Sequence, residues 1–224
     1  MISIIVPLYN EESMLSKACV NLQRLSRNSE LIFVDGTSVD RSVEIARQYG
    51  KVLHSNKGRA AQMNYGASQA EGDILLFLHA DSVVSPDALV SIETKIIQDG
   101  FIGGCLTQRI DNQALVYRFI ESQGNFRARA RKIFYGDQGI FVKKEAFLKI
   151  GGFPEAPIME DVLFTRKLRR AGKTVVLSDK IIVSARRWEK RGIIMSTLIF
   201  SLIILLFWLK VPLPKIKQLY EDLR

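Results

Sequence analysis

Two groups of side chains in this sequence have the types and spacing to do chemistry. In "LLFLHADS", residues 75–82, an apolar run ends on His79 and Asp81. On a strand alternate residues share a face, so both side chains are expected on one side of its C-terminal end, where open α/β sheets bind ligands. A carboxylate there can hold a hard divalent cation whose other ligands are phosphate oxygens, the usual arrangement for Mg²⁺. The imidazole suits Mn²⁺ better than Mg²⁺. The second group is Glu160-Asp161 in "APIMEDVLFTRKLRRAG". Either carboxylate could act as a general base, and both also suit the positive end of a helix dipole. Asp35 in "LIFVDGTSVD" and the polar residues after Pro7 in "VPLYNEE" follow apolar runs in the same way, and each can equally be read as a turn or a helix cap.

The elements that must position these residues alternate. Short β-rich runs occur at "ISIIVPL", "LIFVD", "ILLFLHAD", "GIFV" and "TVVLS", with the uninterrupted apolar character of strands covered on both faces. Between them, residues 12–25, 39–49 and 59–70 have helical spacing, and Gly172 reads as the C-cap of a helix beginning at Glu160. The order β-α-β-α-β predicts an α/β fold with a mostly parallel, Rossmann-like central sheet flanked by helices. Ser85-Pro86 marks another helix start. Residues 101–139 are less regular, with a Gly-Gly pair, a polar helix carrying Arg118, Arg127, Arg129, Arg131 and Lys132, and then "YGDQG". This is expected to be a substrate-facing half of one domain.

At 224 residues and 47% hydrophobic content the chain can bury one substantial core. Its 32 Lys and Arg against 23 Asp and Glu leave a formal +9, a balance that fits nucleic acid, an anionic membrane surface or phosphorylated substrates. Two cysteines, Cys19 and Cys105, are too few and too distant for a disulfide framework, which points to a reducing compartment. The first residues lack the basic n-region of a signal peptide.

Taken in order, "SIIVPLYNEE", "LIFVDGTSVD", "KGRAAQMNYGASQAEGDILLFLHADS", "GDQGIFV" and "MEDVLFTRKLRRAG" resemble the family 2 glycosyltransferases, inverting nucleotide-sugar-dependent enzymes of the GT-A fold. The resemblance covers about residues 2–188. It implies that Pro7, Tyr9 and Glu11 lie along the nucleotide base and ribose, that Asp35 bonds the base, and that Arg59 approaches the diphosphate. Asp81 matches the last acid of the family's D-x-D motif and would bind a divalent metal, Mn²⁺ or Mg²⁺. His79 stands where many relatives have the first Asp, and Gly36 where many carry a second acid, so the donor need not be UDP-linked. Asp161, with Glu160 beside it, matches the catalytic base, and Asp137 and Gln138 would face the sugar or acceptor. Arg187-Trp188 resembles the end of the Q-x-x-R-W element that lines the acceptor channel of processive relatives. Ser184 replaces the Gln, which implies transfer of a single sugar, and Trp188 could equally be an interfacial anchor.

Residues 1–190 are thus expected to form the catalytic domain and 191–224 a hydrophobic and basic tail of helices. Residues 192–209 hold about 18 uncharged residues, the lower edge of a bilayer span. Arg186, Arg187, Lys190 and Arg191 precede them and Lys210, Lys215 and Lys217 follow. Basic clusters on both sides, with Trp188 and Trp208 near the ends, favour a helix lying on or dipping into the cytoplasmic face of the inner membrane. The expected partners are then a nucleotide-sugar donor, a hydroxyl acceptor that is lipid or lipid-linked, and the membrane surface, with no nucleic acid. The alternative for this segment is packing against the catalytic domain or against its copy in a homodimer. Two other functional readings stay open, a nucleotidyltransferase of related fold and a non-catalytic nucleotide-sugar-binding scaffold.

Overall fold

The computed structural model of the protein describes residues 1–189 and 192–222, without the side chains of Cys19, Arg187 and Asp222. The basic residues Lys190 and Arg191 therefore lie outside the described residues, as does the side chain of Arg187.

The first half is a series of βα units. Strands β1 (Ile2–Leu8) and β2 (Glu30–Asp35) are almost wholly buried, as continuous apolar runs between two helical layers should be. Between them α1 (Glu12–Leu25) turns Leu15, Ala18, Leu22 and Leu25 into the core. The helix expected over residues 39–49 shortens to α2 (Ser42–Ala46), because the polar residues before it are spent on loop bonds described below. Strand β3 (Lys51–His54) and helix α3 (Arg59–Gln69) follow, then β4 (Ile74–Phe77). The last of these corrects the reading of "LLFLHADS". The strand stops at Phe77, and His79 to Ser82 form a turn closed by the Ser82 N–H donating to the His79 carbonyl at 3.1 Å. His79 and Asp81 are thus aimed by a turn, not by strand alternation.

The second half holds β5 (Val83–Val84), α4 (Pro86–Ile97), β6 (Gly103–Ile110), α5 (Leu115–Arg131), a 3-10 turn at Gly136–Gln138, β7 (Ile140–Lys143), α6 (Lys144–Lys149), α7 (Glu160–Ala171), β8 (Thr174–Val183) and α8 (Arg186–Glu189). Ser85 caps α4 through the Asp87 N–H, with Pro86 at the first position. The Gly-Gly pair lies inside β6, where a Cβ on Gly104 would sit 2.0 Å from the Val175 carbonyl oxygen. Glycine is needed there for close strand approach.

The sheet runs β3-β2-β1-β4-β7-β6-β8-β5. Its first four strands are parallel, with Leu8, Asp35 and His54 in register at their C-terminal ends. Strand β7 then enters antiparallel to β4 and β6, pairing Phe77 with Ile140. That reversal sets the turn preceding β7 beside the residues that leave β4. β6 and β8 are parallel again, so the sheet is mostly parallel, as expected.

The tail is helical: α9 (Ile193–Trp208) and α10 (Leu213–Asp222). No helix among the described residues is long and apolar enough to cross a membrane. Ile199, Ile203 and Phe207 of α9 and Ile216 of α10 share a buried cluster with Ile133 and Val162 of the preceding half, so α9 belongs to the same apolar cluster as the start of α7. Its other side presents Ile194, Met195, Leu198, Leu202, Leu205 and Leu209 to solvent.

Candidate active site

Three groups of side chains meet at the C-terminal edge of the parallel strands. The first is built on β1 to β3. Asp35 is buried at the end of β2, accepting from the Thr37 and Ser38 N–H groups at 3.1–3.2 Å, with His54 Nδ1 3.4 Å from its Oδ2. The loops after β1 and β2 are stitched together. Ser38 Oγ accepts from the Asn10 N–H, Asn10 Oδ1 from the Val39 N–H and Ser42 Oγ from the Glu11 N–H. Beneath them the buried Gln62 amide donates to the Leu8 and Val34 carbonyls at 2.8 and 2.7 Å, holding the two strand ends together. Pro7 pairs with Val34 within this edge, and Tyr9 is exposed with the Lys57 ammonium 3.7 Å above its ring.

The second group surrounds Gly136. Arg59, the first residue of α3, donates to the His79 ring and lies 3.7 Å from the buried Glu160 carboxylate. Asp161 Oδ2 accepts the Gly136 N–H at 2.7 Å, and its Oδ1 accepts from the Val162 N–H. A Cβ on Gly136 would stand 3.1 Å from His79 Nε2, 3.4 Å from Arg59 Nη2 and 3.5 Å from Asp161 Oδ2. The missing side chain at 136 is what lets an imidazole, a guanidinium and a carboxylate converge. Burial, reinforced by the neighbouring Glu160 charge, pushes the Asp161 carboxyl up to about 6, against the opposing pull of the Gly136 N–H and Arg59. A carboxylate tuned toward neutrality beside a cleft suits proton transfer.

The third group is an ion-pair bridge. Arg186, just past β8, reaches back to Glu11 at 3.0 Å and to Asp81 at 3.3 Å. Among the described residues no set of three or more His, Cys, Asp or Glu side chains could hold a metal ion by itself. Asp81 offers one partly exposed carboxylate, which fits a cation whose other ligands are donor phosphates and water.

Asp137 and Gln138 support this site from behind. Asp137 accepts from Gln108 Nε2 at 2.7 Å, and Gln138 is fully buried, with its Oε1 accepting from the Tyr135 N–H and Arg127. They hold the turn that presents Gly136. Trp188 is buried too, edge-on to Tyr117 and Phe200. Sequence reasoning missed Gln62, Gly136 and Arg186. Gly136 stood in the quoted "YGDQG", whereas a Gln on an Ala-rich helix and one of two adjacent arginines give no local signal.

A sheet of this order with polar groups gathered at its parallel strand ends defines a Rossmann-like α/β fold with a ligand-facing edge. The sequence matches the family described as Glycosyl transferase family 2 over residues 3–151, and the chain belongs to that family. It is 35% identical over 183 residues to an uncharacterized glycosyltransferase of Haemophilus influenzae, covering 75% of this chain and 62% of that protein. It is 31% identical to the undecaprenyl-phosphate 4-deoxy-4-formamido-L-arabinose transferase of Aeromonas hydrophila, covering 44% of this chain and 34% of that one. The chain thus spans less than two thirds of either relative. Among solved structures, the mannosyltransferase PcManGT of Pyrobaculum calidifontis, in complex with GDP-Man and Mn²⁺, superposes with a TM-score of 0.64 at 19% identity, covering 81% of this chain and 56% of that one. The fold is therefore GT-A, and family membership sets aside the nucleotidyltransferase reading.

Proposed function

We propose that the protein transfers one sugar from a nucleoside-diphosphate sugar to an acceptor hydroxyl with inversion at the anomeric carbon. The observation that carries this reading is the convergence of Asp161, Arg59 and His79 on Gly136 at the end of β4. Asp161 takes the acceptor proton, and the acceptor oxygen bonds to the anomeric carbon. The bond to the diphosphate breaks on the opposite face. Arg59 meets the charge that builds on the departing phosphate, the electrostatic part of catalysis. A divalent ion, Mn²⁺ or Mg²⁺, held by Asp81 and the donor phosphates would add Lewis-acid stabilisation there. Pro7, Tyr9, Glu11 and Asp35 would line the nucleoside, and the sugar would lie toward Glu160 and the turn supported by Asp137 and Gln138. Trp188, buried between Tyr117 and Phe200, would support the acceptor side from behind.

The acceptor is proposed to be a hydroxyl on a lipid or lipid-linked molecule. The Aeromonas relative is named for undecaprenyl phosphate, a lipid that accepts through its phosphate, so its name supports the lipid class and Asp161 the hydroxyl, and the apolar outer side of α9 suits the cytoplasmic surface of a membrane. The test is a thermal-shift panel of UDP-, GDP- and dTDP-sugars with and without Mn²⁺, in which a donor at about 100 times its dissociation constant adds roughly 2.7 kcal/mol. Asp35→Ala weakens free nucleoside and diphosphate alike, while Asp81→Ala removes only the metal-dependent part. Equal metal dependence in wild type and Asp81→Ala would refute the assignment.

A further inference from the structure

Glu11 and Asp81 leave the ends of two adjacent parallel strands, β1 and β4, and one guanidinium joins them. Arg186 Nη2 donates to both Glu11 oxygens at 3.2 and 3.0 Å, and its Nε lies 3.3 Å from Asp81 Oδ2. The three side chains are 45%, 25% and 13% exposed, so ligands in solution can reach the bridge. Arg186 begins α8, whose Trp188 is clamped between Tyr117 and Phe200. The base of the arginine is fixed while its side chain is half open to solvent.

We infer, on the donor reading above, that Arg186 is a positioning residue that holds Asp81 in an ion pair until a nucleoside diphosphate arrives. Divalent-metal binding at Asp81 is thereby made conditional on the donor. Charge and lone pairs set this coupling. A guanidinium seated against Asp81 and Glu11 offsets the negative charge that would draw a divalent cation. It also occupies the Asp81 oxygen that would ligate the ion. A diphosphate changes both sides at once: its oxygens complete a hard cation's coordination, and they give the guanidinium a bidentate anionic partner in exchange for the carboxylates. Metal and donor then load together, and Glu11 is the second anchor that returns Arg186 when the diphosphate leaves.

The test is titration of the full chain with Mn²⁺ alone, followed by electron paramagnetic resonance of the free ion, and then again with UDP or GDP present. Without nucleotide, Arg186→Gln is expected to bind Mn²⁺ at least about tenfold more tightly than wild type, the equivalent of about 1.4 kcal/mol. Arg186→Lys, which keeps the charge, should stay near wild type, and Arg186→Gln combined with Asp81→Asn should lose the gain. With UDP or GDP bound, wild type should gain Mn²⁺ affinity. Equal Mn²⁺ binding by wild type and Arg186→Gln without nucleotide overturns the inference, as does a gain that survives Asp81→Asn. If neither nucleotide binds wild type in the presence of Mn²⁺, the donor reading fails, and the comparison in Mn²⁺ alone still decides the role of Arg186.

Discussion

Asp161→Asn separates what this carboxylate does for chemistry from what it costs the fold. Its pKa is raised from 3.8 to about 6 by burial and by Glu160. Below the lower value the group is protonated whether the chain is folded or unfolded and contributes no pH dependence. As pH rises from 3.8 to about 6, the unfolded chain releases its proton first, so the native state loses stability across that window. A gap of about two units corresponds to about 3 kcal/mol, fully lost above the folded pKa. Asparagine has no such titration. It also has one acceptor oxygen in place of two, so one of the Gly136 and Val162 N–H groups loses its partner, at a cost of about 1–3 kcal/mol that does not vary with pH. The clean observable is therefore the change with pH. The stability of Asp161→Asn relative to wild type should rise by about 3 kcal/mol between pH 3.5 and pH 8, read from urea unfolding curves. Sugar transfer by the variant should fall at least about 100-fold with donor binding retained. The wild-type kcat/KM should fall as pH drops below about 6, because a protonated Asp161 cannot accept the acceptor proton. A stability difference that stays constant with pH would refute the account of the carboxyl, and full transfer by the variant would move the base elsewhere.

Two further outcomes test the supports of the site. Gln62→Leu takes the side-chain donor from the buried Leu8 and Val34 carbonyls, of which Leu8 keeps the Gly36 N–H, and should destabilise the fold by about 1–3 kcal/mol in denaturant melts, while an isosteric change at the exposed Arg47 should not. Ile203→Ala opens a gap in the cluster that α9 shares with Val162 and should cost about 2–4 kcal/mol; an unchanged unfolding midpoint would mean that α9 is not part of the same core.

What could be read from the sequence divides along physical lines. β1, α1 and β2 were legible because their burial is periodic or continuous and their ends carry polar breaks. β6 was not, since "GGCLTQRI" opens with the residues that usually break strands, and only the close approach of β8 explains them. β3 offers only Val52 and Leu53 between Lys51 and His54, and β5 is two residues long, so neither registers as an apolar run. In "LLFLHADS" the apolar run concealed where pairing ends, because hydrophobicity continues into Leu78 after the strand has stopped. Asp161 was legible through family resemblance and its place at a helix start. The Glu11–Arg186 pair joins residues 175 apart and leaves no local trace.

The antiparallel strand β7 has a consequence for how the site is assembled. The strand ends proposed to line the nucleoside belong to β1, β2, β3 and β4, which pair with one another within residues 2–77. The strands on the far side, β6, β8 and β5, join this set only through the four residues of β7. Gly136 meets His79, and Asp161 meets Gly136, only once that strand has inserted. The strands proposed to line the nucleoside therefore pair within one continuous stretch of chain, whereas the turn at Gly136 reaches them through β7 and the Arg186 bridge reaches Glu11 across 175 residues, so that this bridge is the closure with the largest loop entropy.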